Sequence, residues 1–280
     1  MVTEEPITWR QEDTDRWLSV LDQRERLLAP MLETLLAEAG LSAGERVLDV
    51  GCGTGPTTGA AARAVRPGGS VLGLDLAAEL VAVARERITE PEVEWLVGDA
   101  TTAPLPHARF DVVLSRFGVM FFADPVAAFT HLRASTRPGG RLVAAVWPPR
   151  TDVPPFQLAY EAARAALDEV GAVVEEPNPR RGPFSLGDPD RVLALLDRAG
   201  WSDVAVAPRP VHVTVAGPEE DLTEVAHAAL GTGHAGVLLA DQPASVREHA
   251  TRRLARTYAE QAGADGLRLA SRFLLLTARA

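Results

Sequence analysis

The residues most suited to chemistry lie in one short run, 47–55, where an apolar segment is followed by glycine at every second position. The three glycines are Gly51, Gly53 and Gly55. Glycine has no Cβ, so this turn can adopt positive φ and let a ligand lie against its amides. Pro56 begins a predicted helix, 56–66, whose first turn directs unpaired N–H groups and a positive dipole end at the same place. These features favour a nucleoside cofactor that carries a carboxylate or a phosphate.

The spacing of the glycines indicates which cofactor. Dinucleotide-binding folds use G-x-G-x-x-G, whereas this chain has Gly51-x-Gly53-x-Gly55 preceded by Asp49. Further motifs follow in order, in the segments 70–75, 93–100, 110–115 and 137–143. Together they resemble the class I S-adenosylmethionine-dependent methyltransferases, and the similarity extends from about residue 44 to 147.

The resemblance implies a set of cofactor contacts. The cofactor would be S-adenosylmethionine, and Asp75, at the end of the second strand, would accept hydrogen bonds from both ribose hydroxyls. Asp99 and Ala100 match the adenine-binding G-D-A motif. The cofactor-binding residues expected on this basis are Asp49, Gly51, Gly53, Gly55, Asp75, Leu76, Asp99, Ala100 and Ser115.

The string 115–122 is typical of a narrower group, which includes quinone-biosynthesis C-methyltransferases and small-molecule methylating enzymes of bacterial secondary metabolism. Arg116 is a candidate anchor for an acidic substrate group, although Asp99 or Asp111 could instead be its structural partner. The substrate-side candidates are Arg116, Phe117, Met120 and Trp147. For the three apolar side chains, core packing is the alternative interpretation.

Two residues are candidates for a general base. Histidine is the usual base near neutral pH, and His234 lies in the glycine-rich segment 231–236, which predicts a loop facing the substrate crevice. Tyr160, on a predicted inserted helix, is the other candidate. No histidine and carboxylate cluster has metal-ligand spacing, so no metal site is expected.

Composition excludes several classes of function. The chain of 280 residues has a net charge of -10 and no lysine, so all 28 basic residues are arginine. A Schiff-base enzyme, a Walker-type nucleotidase and a short-chain dehydrogenase each need a lysine. The negative charge lacks the basic footprint of a nucleic-acid binder. The one cysteine, Cys52, is interpreted as a small residue filling the glycine turn.

Strands that alternate with helices predict an α/β fold with a doubly wound, mostly parallel seven-stranded sheet. Its last strand, 267–277, is expected to be antiparallel by the same family resemblance. We expect one domain over 1–280, with an N-terminal helical lid at 1–43 that carries Trp9 and Trp17. The cofactor-binding core is predicted at 44–147, and helical substrate-side insertions at 148–187 and 217–264.

The predicted function is methyl transfer from S-adenosylmethionine to oxygen, nitrogen or carbon of a small molecule. Two alternatives stay open: a non-methylating cyclase or isomerase on the same fold, and a cofactor-binding accessory subunit. The acidic N-terminus lacks an apolar signal region and no run reaches membrane-spanning length, so a cytoplasmic monomer or homodimer is expected, without nucleic-acid or membrane partners.

Overall fold

The computed structural model describes Thr14, Leu18 and residues 20–280. Trp9 and Trp17 of the predicted lid therefore lie outside the described residues. The strands are β1 Arg46–Val50, β2 Ser70–Asp75, β3 Val93–Val97, β4 Phe110–Arg116, β5 Thr136–Val146, β6 Ser202–Ala216 and β7 Leu267–Arg279. The helices are α1 Leu21–Ala39, α2 Pro56–Ala64, α3 Ala78–Arg87, α4 Pro125–Ser135, α5 Pro154–Glu169, α6 Pro189–Arg198, α7 Leu222–Leu230, α8 Gly233–Leu239 and α9 Ala244–Gln261.

The seven strands form one sheet in the order β3-β2-β1-β4-β5-β7-β6. The first five pair in parallel, while β7 runs antiparallel to both β5 and β6. The predicted fold class is confirmed. Strand order reverses at β1, which has β2 on one side and β4 on the other. In open α/β sheets, ligands bind beyond the carboxyl ends of the strands at this point.

Strands β1 and β4 and the second half of β5 are buried on both faces. Valine and leucine fill them, as in Val47, Leu48, Val112, Val113 and Leu114, each with no exposed surface. Near-continuous apolar strands are expected where helices cover both faces of a parallel sheet. The packing of these strands holds the carboxyl edge of the sheet in a fixed position.

Helix caps explain where the helices near this edge begin. The Asp124 carboxylate accepts a hydrogen bond from the Ala127 amide at the start of α4. Asp188 caps α6, because its carboxylate accepts from the amides of Asp190 and Arg191, with Pro189 in the first turn. Both capping aspartates line the same cavity.

The two insertions consist mainly of helices. Between β5 and α6 the chain forms α5 and a short 3-10 turn, Gly182–Phe184. Between β6 and β7 it forms α7, α8 and α9, where the sequence predicted one helical insertion without resolving its parts. Within the described part of the chain, no helix combines the length and apolar character needed to cross a membrane.

Candidate functional site

The glycine turn between β1 and α2 has left-handed backbone at all three predicted positions. The φ angles of Gly51, Gly53 and Gly55 are 69°, 53° and 89°. A Cβ at Gly51 would lie 2.5 Å from the Cα of Gly118, and one at Gly55 would lie 2.8 Å from the Trp95 ring. At Gly53, nothing lies within 4 Å of that position. Two of the glycines therefore permit close packing, whereas Gly53 borders open space.

Asp75 fixes the turn from the end of β2. One carboxylate oxygen accepts a 2.8 Å hydrogen bond from the Gly53 amide, and the other accepts a 2.9 Å bond from the Ala77 amide. Burial raises the pKa of Asp75 above its usual value, while the backbone amides of Ala77, Gly53 and Leu76 oppose that rise. A carboxylate offers about four acceptor sites, so these amides leave acceptor capacity for a ligand.

A cavity of about 360 Å³ lies beside this turn. Its lining brings together six of the nine predicted cofactor-binding residues: Gly51, Gly53, Asp75, Leu76, Asp99 and Ala100. Its volume falls within the range usual for cofactor and ligand pockets, roughly 300–1,000 Å³. The open space at Gly53 and the remaining acceptor sites of Asp75 suit a ligand that brings hydroxyl donors. These residues fit a nucleoside cofactor.

Asp49 and Ser115 lie behind the cavity wall. Asp49 is completely buried, and its Oδ2 accepts a 2.6 Å hydrogen bond from the Thr58 hydroxyl. Its Oδ1 has no hydrogen-bond partner among the described residues. Burial raises the pKa of Asp49 to about 6, although the Thr58 hydroxyl and the charge of Arg116 lower it. The site therefore holds a buried negative charge directly under the turn at neutral pH.

Ser115 joins the ends of β4 and β1. Its hydroxyl donates to the Val50 carbonyl at 2.8 Å and accepts from the amides of Gly118 and Val119 at 3.1 and 3.2 Å. Gly118 in turn lies against Gly51 and lines the cavity. Sequence reasoning did not select Gly118. A glycine two residues after the end of the fourth strand was the available signal.

Arg116 has a different partner from those considered in the sequence. Its guanidinium lies 3.1 Å from a carboxylate oxygen of Glu25, on α1, and both residues line the cavity. The structural partner is therefore neither of the two alternatives considered: Asp111 pairs with Arg46 and Arg137, and Asp99 accepts from the Thr101 amide. Glu25 was missed because it lies 91 residues from Arg116 in the chain.

Phe117 and Trp147 form an aromatic pair at the carboxyl edge. Their rings stack with centroids 4.2 Å apart. Phe117 adopts left-handed backbone, φ 64°, and lines the 360 Å³ cavity, whereas Trp147 supports it from behind. The Trp147 amide in turn lies 3.2 Å from the Met120 sulfur. The cavity therefore has an apolar wall opposite its polar turn.

A second, larger cavity of about 1,110 Å³ adjoins the first. Phe122 and Ala123 line both cavities. Met120 lies on the second cavity, as does Phe184 from the 3-10 turn. Of the predicted substrate residues, Phe117 and Arg116 line the first cavity, Met120 lines the second, and Trp147 lies behind the wall.

His234 lines the second cavity, but from a helix. The predicted loop is wrong there, because α8 begins at Gly233 and the Gly236 amide makes a helical hydrogen bond to the Thr232 carbonyl. The His234 ring meets Phe184 edge-on at 4.9 Å, and its buried Nε2 has no partner among the described residues. Burial, reinforced by the charge of Arg150, lowers the pKa of His234.

Tyr160 lies on α5, outside the lining of both cavities. Its hydroxyl donates a 2.6 Å hydrogen bond to Glu176, and its ring lies 3.3 Å beneath the guanidinium of Arg150. Tyr160 thus contacts a cavity residue and not the cavity itself. In the described ranges, no group of three or more His, Cys, Asp or Glu residues could hold a metal ion.

Comparison with known proteins supplies the family. A methyltransferase domain family matches residues 48–144. Demethylmenaquinone methyltransferase from Beutenbergia cavernae is 33% identical over 179 residues, covering 59% of this chain and 69% of that protein. The chain belongs to the class I S-adenosylmethionine-dependent methyltransferases. Its cofactor is S-adenosylmethionine, which supplies an activated methyl group on a sulfonium.

Other relatives of this methyltransferase show how far the similarity extends. An uncharacterized 37.1 kDa transposon protein of Streptomyces fradiae is 36% identical over 157 residues, or 55% of this chain, and the match spans only 44% of that protein. Phosphoethanolamine N-methyltransferase 2 of Haemonchus contortus, solved with S-adenosyl-L-methionine, matches with a TM-score of 0.53 at 19% identity, covering 89% of this chain and 52% of that one. The [4+2]-cyclase SpnF gives 0.52 at 20% identity, with 89% and 79% coverage. The solved structures support the fold alone.

Proposed function

We propose that this methyltransferase methylates an oxygen, nitrogen or carbon atom of a small molecule seated in the second cavity, in secondary metabolism. The observation that carries the proposal is that the two cavities share Phe122 and Ala123 in their walls and therefore lie side by side. Methyl transfer needs donor and acceptor in direct contact, and a preformed pair of adjoining pockets provides that proximity.

The first cavity would hold the cofactor. Asp75 would accept hydrogen bonds from the ribose hydroxyls, while Leu76, Asp99 and Ala100 would enclose the adenine. The space beside Gly53 would admit the cofactor against the turn amides. Asp49 would contribute its buried negative charge, which favours a cationic sulfonium over a neutral product. Gly51, Gly55 and Ser115 would keep the turn in shape.

The apolar wall would help the transfer itself. Positive charge on the donor disperses as the methyl group moves in line to the acceptor, and surroundings without water reward that loss of charge. Phe117 lies on the cofactor side of the wall, backed by Trp147, and Met120 lies on the acceptor side. These three side chains would exclude water, and Arg116 would anchor α1 through Glu25.

His234 is our candidate for the general base. Its imidazole is held neutral at physiological pH because burial lowers its pKa, and its Nε2 has no partner among the described residues. A neutral, unpartnered imidazole on the acceptor cavity can take a proton from a hydroxyl or an amine. Tyr160 would act through Arg150 as a positioning residue, since its own hydroxyl is bonded to Glu176.

The relatives support a small-molecule acceptor. The Beutenbergia cavernae enzyme is named for demethylmenaquinone. The negative net charge of this chain argues against a nucleic-acid acceptor. A soluble enzyme of the cytoplasm, working as monomer or homodimer, accords with this proposal.

The test is incubation of the full chain with methyl-labelled S-adenosylmethionine and a panel of hydroxy, amino and activated-carbon acids and phenols. We expect label in one acceptor class and a mass gain of one methylene. His234→Ala should lower kcat while leaving the affinity for S-adenosylhomocysteine unchanged. If the label stays in the donor while a panel member becomes an isomer of unchanged mass, the protein is a cyclase and the proposal is wrong.

A further inference from the structure

The second cavity differs in charge from the chain as a whole. The chain carries a net charge of -10. The cavity, in contrast, is lined by five arginines, namely Arg150, Arg180, Arg181, Arg191 and Arg198. They come from separate parts of the chain: the segment after β5, the segment before the 3-10 turn, and α6. The fold therefore concentrates positively charged side chains at this cavity, although the chain as a whole is negatively charged.

The carboxylates on this cavity are already bonded. Among the described residues, its lining includes two acids, Asp124 and Asp188. Each caps a helix, with oxygens that accept backbone amides at the start of α4 and α6. Their hydrogen-bonding capacity is directed mainly to the helices. The guanidinium groups of Arg180, Arg191 and Arg198 make no ion pair or hydrogen bond with any described residue.

Arg150 is held in place by its neighbours. Its guanidinium lies on the Tyr160 ring at 3.3 Å and donates to the side-chain oxygen of Gln157. Gln157 in turn donates to Glu161 at 2.6 Å, and Tyr160 donates to Glu176 at 2.6 Å. The two carboxylates thus hold the groups around Arg150. Its own Nε is buried and has no partner within the described part of the chain.

The same cavity has an apolar side. Phe184 packs edge-on against Phe156 at 5.4 Å and against His234 at 4.9 Å, which fixes its ring at the cavity wall. Met120, Phe122 and Leu195 continue this surface. A ligand that satisfies both sides has an apolar, ring-sized body and an anionic group. Arginine suits such a group because its planar fork binds carboxylate or phosphate with two parallel hydrogen bonds.

We propose that the acceptor is an organic anion, an apolar ring system bearing a carboxylate or a phosphate, and that Arg150 and Arg191 bind its anionic group. This inference rests on the proposed function, because it assigns the acceptor to the second cavity. The anionic group would lie at the arginine side and the ring against Phe184, with the methyl-accepting atom directed toward Phe122, which lines both cavities.

Titration calorimetry of the full chain saturated with S-adenosylhomocysteine tests the proposal. The probes are 1-naphthoate, 1-naphthyl phosphate and the neutral 1-naphthalenemethanol. We expect at least one anion to bind about tenfold or more tightly than the alcohol, as a charged hydrogen-bonded contact implies. The tighter of the two anions identifies carboxylate or phosphate as the natural group.

Variants of the cavity arginines test whether the preference for an anion arises in the second cavity. Arg191→Gln should weaken binding of the anion about tenfold or more and leave the alcohol unchanged. Arg150→Gln should do the same. Arg191→Gln is the more specific test, because the Arg191 guanidinium bonds to no described side chain and its removal leaves the neighbouring contacts intact. Arg109→Gln is the matched control: Arg109 is exposed and precedes β4 at the opposite edge of the sheet. Thermal unfolding of each variant checks that it is folded.

Three results would overturn the inference: equal affinity for alcohol and anion, Arg191→Gln behaving like Arg109→Gln, or no binding of either anion. Failure of the proposed function is separate. It would appear as absent binding of S-adenosylhomocysteine in the same calorimeter, or as no labelled methyl in any acceptor.

Discussion

Gly51, Gly53 and Gly55 share left-handed backbone, but the space beside each of them differs. Gly51 crosses Gly118 so closely that a Cβ would reach 2.5 Å from its Cα, whereas the same atom at Gly53 meets nothing within 4 Å. The first glycine is required by the fold. Gly53 is instead required by the ligand that the cavity binds. Substituting each glycine in turn therefore distinguishes a requirement of folding from a requirement of ligand binding.

We expect Gly53→Ala to fold and to lose affinity for S-adenosylhomocysteine by about tenfold or more. The strain of left-handed backbone should cost only about 1–2 kcal/mol, while the new methyl group occupies ligand space. Gly51→Ala is the contrast, because its Cβ meets backbone and should largely prevent folding. Circular dichroism and calorimetry measure both effects. Normal binding by Gly53→Ala would remove Gly53 from the cofactor wall.

Asp49 imposes a stability cost that depends on pH. Burial raises its pKa from the usual 3.8 to about 6 in the folded protein. The folded state therefore retains the proton between these values while the unfolded state has released it. Stability falls as pH rises through this window, and the penalty is complete above pH 6, reaching about 3 kcal/mol at most.

Asp49→Asn should remove this penalty while keeping an acceptor for the Thr58 hydroxyl. The variant should be more stable than the wild type by about 2–3 kcal/mol at pH 7.5. Near pH 4 the difference should be close to zero, because the wild-type carboxyl is then protonated in the folded state. Urea denaturation at the two pH values measures the difference. A gain of equal size at both pH values would contradict this account.

The residues that could be predicted from the sequence are those with a local signal. The glycine spacing selected Gly53, and the end of an apolar strand selected Asp75. Glu25 has no such signal, since it matters through a contact with Arg116 that forms only when distant segments meet. For His234, glycines at 231, 233 and 236 predicted a loop, yet a Cβ at Gly236 would lie 2.8 Å from the Gly231 carbonyl. There, glycine permits tight packing of a helix.

At the scale of elements, α1 is held differently at its two ends. Near its C-terminus, Arg141 donates to the Ala39 carbonyl at 2.7 Å and pairs with Glu45. Near its N-terminus, Glu25 and Leu28 line the cofactor cavity, and the ion pair between Glu25 and Arg116 joins the helix to the site. The C-terminal end of α1 is therefore bonded to β5, whereas its N-terminal half borders the cofactor cavity.

Hydrogen exchange should slow in residues 21–29 when S-adenosylhomocysteine binds, because the ligand adds contacts to that half of α1. Residues 35–39 should change little, since Leu35 and Ala39 are already buried. Helix α9, remote from the cavity lining, serves as the internal control. Unchanged exchange in 21–29 with binding confirmed would make α1 a scaffold and not the predicted lid.

At the scale of the whole molecule, β7 pairs with both β5 and β6, and it follows the 217–264 insertion in the chain. The sequence predicted an antiparallel last strand, but not its position between β5 and β6 nor the length of its pairing with β6. Local patterns predict each strand, whereas its neighbours depend on how the whole chain packs. In the structure Leu276, fully buried, pairs with Ala144 on β5 and Val206 on β6.

This interlocking predicts that the chain unfolds as one unit, as the single-domain hypothesis requires. We expect one calorimetric transition whose measured enthalpy equals the van't Hoff enthalpy. Leu276→Ala should shift the whole transition downward, because a buried leucine-to-alanine change costs about 2–5 kcal/mol. Helices α7–α9 lie between β6 and β7 in the chain, so their unfolding should follow the same shift. A second transition that Leu276→Ala leaves in place would show that the 217–264 insertion folds on its own and that the single-domain hypothesis is wrong.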